Sequence, residues 1–112
     1  MRNMEVQNQE LPAKVIRLFL SENEQELGWV RVYLIKNESH NCYYALIENL
    51  FVNEQHRRKG YGKQLMLAAI EEAKKQDCQW IIGNSRYLRE HVHQFYKNLG
   101  FEDYGKEFKM IL

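Results

Sequence analysis

Hydrophobic and polar positions change their spacing several times along this chain, and each change marks an element. Lys14–Leu20 (KVIRLFL) and Leu27–Lys36 (LGWVRVYLIK) are dense in β-branched and large apolar residues, and Trp29, Arg31 and Tyr33 alternate with Val30, Val32 and Leu34. A period of two is that of a strand. The polar break Ser21–Glu26 makes an antiparallel hairpin the economical connection. After a second polar loop, Asn37–Asn41, the run Cys42–Val52 (CYYALIENLFV) is apolar except at Glu48 and Asn49, which predicts a central strand covered on both faces.

From Tyr61 the period becomes helical. Leu65, Met66, Ala69, Ile70 and Ala73 form one stripe, while Lys63, Gln64, Glu71, Glu72, Lys74 and Lys75 face water. Cys78–Gly83 (CQWIIG) reads as the next strand, so strand, helix and strand imply a parallel pair with a right-handed crossover. From about Arg89, the residues Val92, Phe95, Tyr96 and Leu99 follow the spacing of a second amphipathic helix. Gly100 then reads as its left-handed cap, with a hydrophobic contact from Phe101. The tail Glu107–Leu112 (EFKMIL) alternates and predicts a closing strand, and polar residues 1–13, with Pro12, predict a loose arm or a short edge strand. The pattern implies one α/β domain over residues 1–112: antiparallel strands first, then a β-α-β crossover, a helix and a closing strand in a mixed sheet.

Composition narrows the function classes. A chain of 112 residues holds one domain, able to bury roughly two-thirds of its unfolded surface. Its 45% hydrophobic and 28% charged residues are those of a soluble globular protein. Sixteen basic against fifteen acidic residues leave a net charge of +1, so no global field attracts nucleic acid and any anion site must be local. Cys42 and Cys78 lack metal-ligand spacing and read as reduced thiols, with nothing nearby to activate either as a nucleophile. No metal is implied. With neither a signal-peptide core nor the ~20 apolar residues of a membrane span, the expected location is the cytoplasm.

The chemistry gathers at the hinge between the apolar run and the first helix, Val52-Asn53-Glu54-Gln55-His56-Arg57-Arg58-Lys59-Gly60-Tyr61-Gly62-Lys63. Helix-opening amides lack intrahelical partners, and the macrodipole places about half a positive charge there, so such a turn favours an anion, phosphate above all. Gly60 and Gly62 would let the backbone take left-handed angles and approach the ligand, while Arg57, Arg58, Lys59 and Lys63 add positive charge. The turn has no Gly-Lys-Ser/Thr and no third glycine at dinucleotide spacing. Upstream, a carboxylate in the apolar run means either that the strand opens onto a wet cleft at Glu48 or that Glu48 is half of an ion pair.

Arg57-x-x-Gly60-x-Gly62 resembles the Gln/Arg-x-x-Gly-x-Gly/Ala signature of the GCN5-related N-acetyltransferases (GNAT), whose turn cradles the pyrophosphate of coenzyme A. His93-Gln94-Phe95-Tyr96-Lys97-Asn98-Leu99-Gly100-Phe101 is similar to the family's C-terminal motif, a helix that ends beside the coenzyme A thiol. Arg89-Glu90-His91-Val92 resembles an Arg-Glu-x-Ala variant, so an asparagine contact to the pantetheine arm is not carried over. The resemblance covers residues 14–112. About a dozen residues stand in place of a strand and two helices that commonly wall the acceptor site, which leaves that half to loops or to a second subunit of a homodimer.

The resemblance implies an acetyl-coenzyme A-dependent N-acetyltransferase acting on a primary amine of a small molecule or a protein. Glu48 would be the general base, directly or through a water, and Tyr96 the acid for the leaving thiolate. Leu50, Phe51 and Val52 would pair their main chain with pantetheine and donate to the oxyanion; Arg57, Arg58, Lys59, Gly60, Tyr61, Gly62 and Lys63 would hold the diphosphate. His91 and His93 read as surface helix residues, with a base role for one of them the fallback if Glu48 is held in an ion pair. Glu22, Glu24, Glu26 and Glu38 hint at a cationic acceptor, although a run of charge is more often a solvated face. A non-catalytic acyl-coenzyme A-binding module is the alternative. Neither nucleic acid nor membrane is an expected partner.

Overall fold

The structure, a computed structural model, describes residues 4–84 and 90–112. Four strands and two helices run in the order β1 (Lys14–Glu22), β2 (Gln25–Asn37), β3 (Cys42–Val52), α1 (Tyr61–Lys75), β4 (Cys78–Gly83) and α2 (Glu90–Asn98). The sheet order is β1-β2-β3-β4, antiparallel through the first three strands and parallel between β3 and β4. The expected connector from Asn84 to Arg89, with Arg89 at the head of the second helix, lies outside the described residues beyond Asn84.

The β1–β2 turn is tighter than the six polar residues suggest. Glu22 pairs with Gln25, leaving only Asn23 and Glu24 in the loop with φ of 51° and 63°. Two left-handed residues give the backbone twist that joins right-twisted strands most directly. Helix α1 then seals one face of the sheet. Val30, Val32 and Leu34 of β2 and Ala45 and Ile47 of β3 meet Leu65, Met66, Ala69 and Ala73 in one core. Leu65 and Met66 are at most 2% exposed, and burying each contributes about 1.5–3 kcal/mol.

The opposite face differs from the expected double cover. Tyr44, Leu46 and Glu48 of β3 alternate with the buried Ala45 and Ile47 and are only part-buried, because α1 packs on one side of the sheet alone. Side chains there cover one another instead: Tyr44 stacks on Trp80 at 5.2 Å, and Arg17 lies 5.3 Å over the Trp29 ring.

The tail corrects a second expectation. Residues 107–112 belong to no strand among the described residues, and Phe108, Met110, Ile111 and Leu112 are 80% exposed or more. Alternation records strand propensity; a strand also needs an edge to pair with, and the tail lies on none in the isolated chain.

Candidate functional site

The cleft arises where two parallel strands part. Pairing of β3 with β4 stops at Ile47 and Gly83, and β3 continues to Val52 paired only with β2. Between Trp29↔Phe51 and Arg31↔Glu48 the β2–β3 register shifts by one residue, with Asn49 at φ 58°. This bulge resets the alternation. Leu50 and Val52 turn onto the core, while Phe51 swings to the other face and meets Trp29 at 5.6 Å.

Beyond Val52 a single 3₁₀ turn, Glu54–His56, leads into the basic bend. Asn53 Nδ2 donates to the Glu26 carbonyl at 2.7 Å and pins the bend to β2. Arg58 at φ 66° and Gly60 at φ 83° are both left-handed, and Gly60 caps α1 with no side chain bonded to its first amides. A Cβ at Gly60 would meet nothing within 4 Å, so glycine serves the backbone angle there and not a close approach. Gly62, expected to share that conformation, is instead helical, and a Cβ on it would reach Val52 Cγ2 at 3.9 Å. Its glycine is not required by φ, because the bend is complete one residue earlier. Arg57 Nε donates to the Val52 carbonyl at 3.0 Å, holding the guanidinium against the end of β3.

The far wall is α2. Its C-terminus closes with Gly100 N–H donating to the Lys97 carbonyl and Phe101 N–H to the Tyr96 carbonyl, both at 3.0 Å, with the Phe101 ring 5.1 Å from that of Tyr96. This is the expected glycine cap with its hydrophobic contact. Tyr96 lies directly over β4 at Gly83: a Cβ there would fall 2.6 Å from Tyr96 Cζ and 2.7 Å from its hydroxyl oxygen. Only glycine lets the phenol ring cross the strand at that height.

A cavity of about 850 Å³ joins these walls. Glu48, Leu50, Val52, Arg57, Arg58, Gly60, Tyr61, Gly62, Lys63 and Tyr96 all line it; Phe51 and Lys59 do not. Asn49, Asn84, His56 and His91 line it as well. Sequence reasoning assigned no site role to Asn49, Asn84 or His56, although Asn49 interrupts the same apolar run as Glu48 and so carried a visible signal, and it read His91 as a surface helix residue, whereas His91 lines the cleft. The buried His56 Nε2 has no hydrogen-bond partner among the described residues, the kind of unmatched group a ligand can satisfy. No ion pair to Glu48 occurs among the described residues, so the cleft alternative describes its setting.

The acidic residues suggested for a cationic acceptor separate. Glu22, Glu24 and Glu26 sit at one end of β2 and Glu38 beyond the other, about 40 Å apart along a 13-residue strand. Glu26 is also engaged by Arg17 at 2.6 Å, a hydrogen bond that holds its carboxyl below the usual range. Burial pushes the Cys78 thiol up, aided by Asp77, which keeps it protonated and inert. Among the described residues no cluster of histidine, cysteine and carboxylate side chains could hold a metal, and no helix is long and apolar enough to cross a membrane.

Comparison with known proteins places this geometry. A candidate acetyltransferase from Agrobacterium tumefaciens str. C58 is 25% identical, with a TM-score of 0.81 over 88% of this chain and 69% of its own. A transcriptional regulator from Bacillus halodurans C-125 is 26% identical, with a TM-score of 0.83 over 88% and 66%. AAC(6')-Iy, solved with the bisubstrate analogue CoA-S-monomethyl-acetylneamine, shares the fold at 16% identity and a TM-score of 0.75 over 88% and 69%. No curated protein sequence matches the chain. The family model of the acetyltransferase (GNAT) domain matches residues 15–103, most of the sequence, and the chain belongs to that family.

Proposed function

We propose that the protein is an acetyl-coenzyme A-dependent N-acetyltransferase that acetylates a primary amine of a small molecule or a protein. One observation carries the reading: a single cleft brings together the uncapped start of α1, the unzipped end of β3 with Glu48, and the Tyr96 ring over Gly83. The donor set suits a diphosphate, since the amides at the head of α1 have no side-chain cap and Arg57, Arg58 and Lys63 line the same wall. Acetyl-coenzyme A would supply the activated acyl group as co-substrate.

The work left to the chain is proton movement and alignment. An alkylamine with a pKa near about 10 arrives as ammonium and attacks only after losing a proton. Glu48 takes it, directly or through a water, from a part-buried position on the cleft wall. The main chain of Leu50–Val52, past the last β3–β4 pair, offers an edge along which an extended pantetheine arm can lie, and its N–H groups can donate to the developing oxyanion. Tyr96 supplies the proton for the departing thiolate. The cytoplasm is the matching compartment.

A second reading, a coenzyme A-binding regulatory module without turnover, is favoured by the solved relative named as a transcriptional regulator. Calorimetry with coenzyme A and a thiol-release assay over an amine and peptide panel separate the two. Glu48→Gln and Tyr96→Phe should retain binding while each lowers turnover about 10²–10⁴-fold. Saturable binding with no release on any acceptor would favour the module, and absence of binding would reject both.

A further inference from the structure

Given the acetyltransferase reading above, on which this rests, we propose that the acceptor is a zwitterion: a primary amine with a carboxylate or a phosphate monoester a few bonds away. Its ammonium end meets Glu48 and its anionic end meets Arg31. Both residues stand on the sheet face that α1 leaves open. Side chains directly opposite one another on antiparallel strands point to the same face, with Cβ atoms about 5 Å apart. Arg17 is opposite Arg31 and Arg31 is opposite Glu48, so one row of charge crosses that face. Apolar rows border it on either side, Phe19, Trp29 and Phe51 above and Val15, Tyr33 and Leu46 below. Glu48 also lines the cleft, so the row leads from the open face to the place where an amine would be acylated.

Opposite charges in register ordinarily neutralise one another, and here they do not. Ion pairs among the described residues join Arg17 to Glu26 and Lys74 to Glu71, which leaves Arg31 and Glu48 each without a counter-charge there. Arg31 is drawn instead over the Trp29 ring, 5.7 Å from its centroid, on the other side of the β2–β3 register shift. A guanidinium stacked on an aromatic face keeps its edge free, and its N–H donors fork onto a carboxylate or a phosphate. Both groups are part-buried, so leaving either charge unmet costs more than it would in open water, and a ligand that meets both removes that cost. A purely cationic amine would satisfy Glu48 and approach Arg31 with like charge. A zwitterion laid across β2 and β3 satisfies both. Phe19 and Phe51, 55% and 40% exposed, give the apolar part of such a molecule a surface beside the charges.

The test adds matched acceptors to the amine and peptide panel above: β-alanine against β-alaninamide, and phosphoethanolamine against ethanolamine, with thiol release from acetyl-coenzyme A as the readout. The charged member should lead in one pair or both by about 10–100-fold in kcat/KM, the worth of one hydrogen bond to a charged group. Which pair shows the larger ratio tells carboxylate from phosphate. Arg31→Gln should reduce that ratio to about 2-fold or less through a higher KM for the charged member, and Arg31→Lys, which keeps the charge without the planar fork, should restore part of it. Calorimetry with coenzyme A and circular dichroism check that both variants are folded. Turnover of uncharged amines with no lead for the charged ones, or a lead that survives Arg31→Gln in a folded protein, would overturn this inference alone. Coenzyme A binding with no release on any acceptor would overturn the acetyltransferase reading and this inference with it.

Discussion

The two helices that wall the cleft are held to the body very differently. Helix α1 sinks Leu65, Met66, Ala69 and Ala73 into the core; α2 buries none of its residues and rests on part-buried Phe95 and Tyr96, with Leu99 just past its end. In the proposed function the first would present the diphosphate turn and the second Tyr96. A wall that only binds gains from rigidity. A wall that would deliver a proton can be held more lightly, and the Tyr96 ring against Gly83 helps set its height.

The sharpest test of this contrast is a pair of truncations. Met66→Ala, at a site with no exposure, should cost about 2–5 kcal/mol in chemical denaturation, while Leu99→Ala, just past the end of α2, should cost under about 2 kcal/mol. Equal losses would show that both helices are equally anchored.

Next in size is Gly83→Ala. The added methyl occupies the space of the Tyr96 ring, so α2 must shift, and turnover should fall about 10²-fold with coenzyme A affinity and thermal midpoint nearly unchanged. A fall in stability with turnover preserved would make Gly83 a packing residue only.

The smallest effect belongs to the Arg17–Glu26 pair, whose side chains do not line the cleft. Arg17 lowers the Glu26 carboxyl below its ordinary value of 4.5, so the pair's contribution is complete above that value and fades as pH falls through the depressed one. Stability of the native chain relative to Glu26→Gln should therefore be slightly higher at neutral pH and converge in acid. Because the pair is exposed, a large difference at neutral pH would contradict this assignment.

Much of this architecture is legible from spacing alone. The bounds of β3, α1 and β4 follow from changes of period at Cys42, Tyr61 and Cys78, since each coincides with a polar or glycine break. The glycine cap at Gly100 is equally local. What escapes is what depends on a partner. The bulge at Asn49 exists only in the register of β3 against β2, so the sequence could not reveal that Phe51 leaves the cleft. The contact that makes Gly83 matter lies between residues 13 positions apart on different elements. The tail alternates like a strand, but its own residues do not decide whether it pairs. Of the cleft, the turn and Glu48 were readable because their chemistry is contiguous, whereas Asn84 and His91 enter it only through the parting of β3 and β4.

The central claim is that the bend between β3 and α1 receives the diphosphate of coenzyme A while the end of β3 receives its pantetheine arm. A titration of isotope-labelled protein with coenzyme A, followed amide by amide, addresses this directly. The largest saturable shifts should fall on Arg58–Lys63 and on Leu50–Val52, with smaller ones around Tyr96. Shifts centred on the β1–β2 hairpin, or none that saturate, would contradict it.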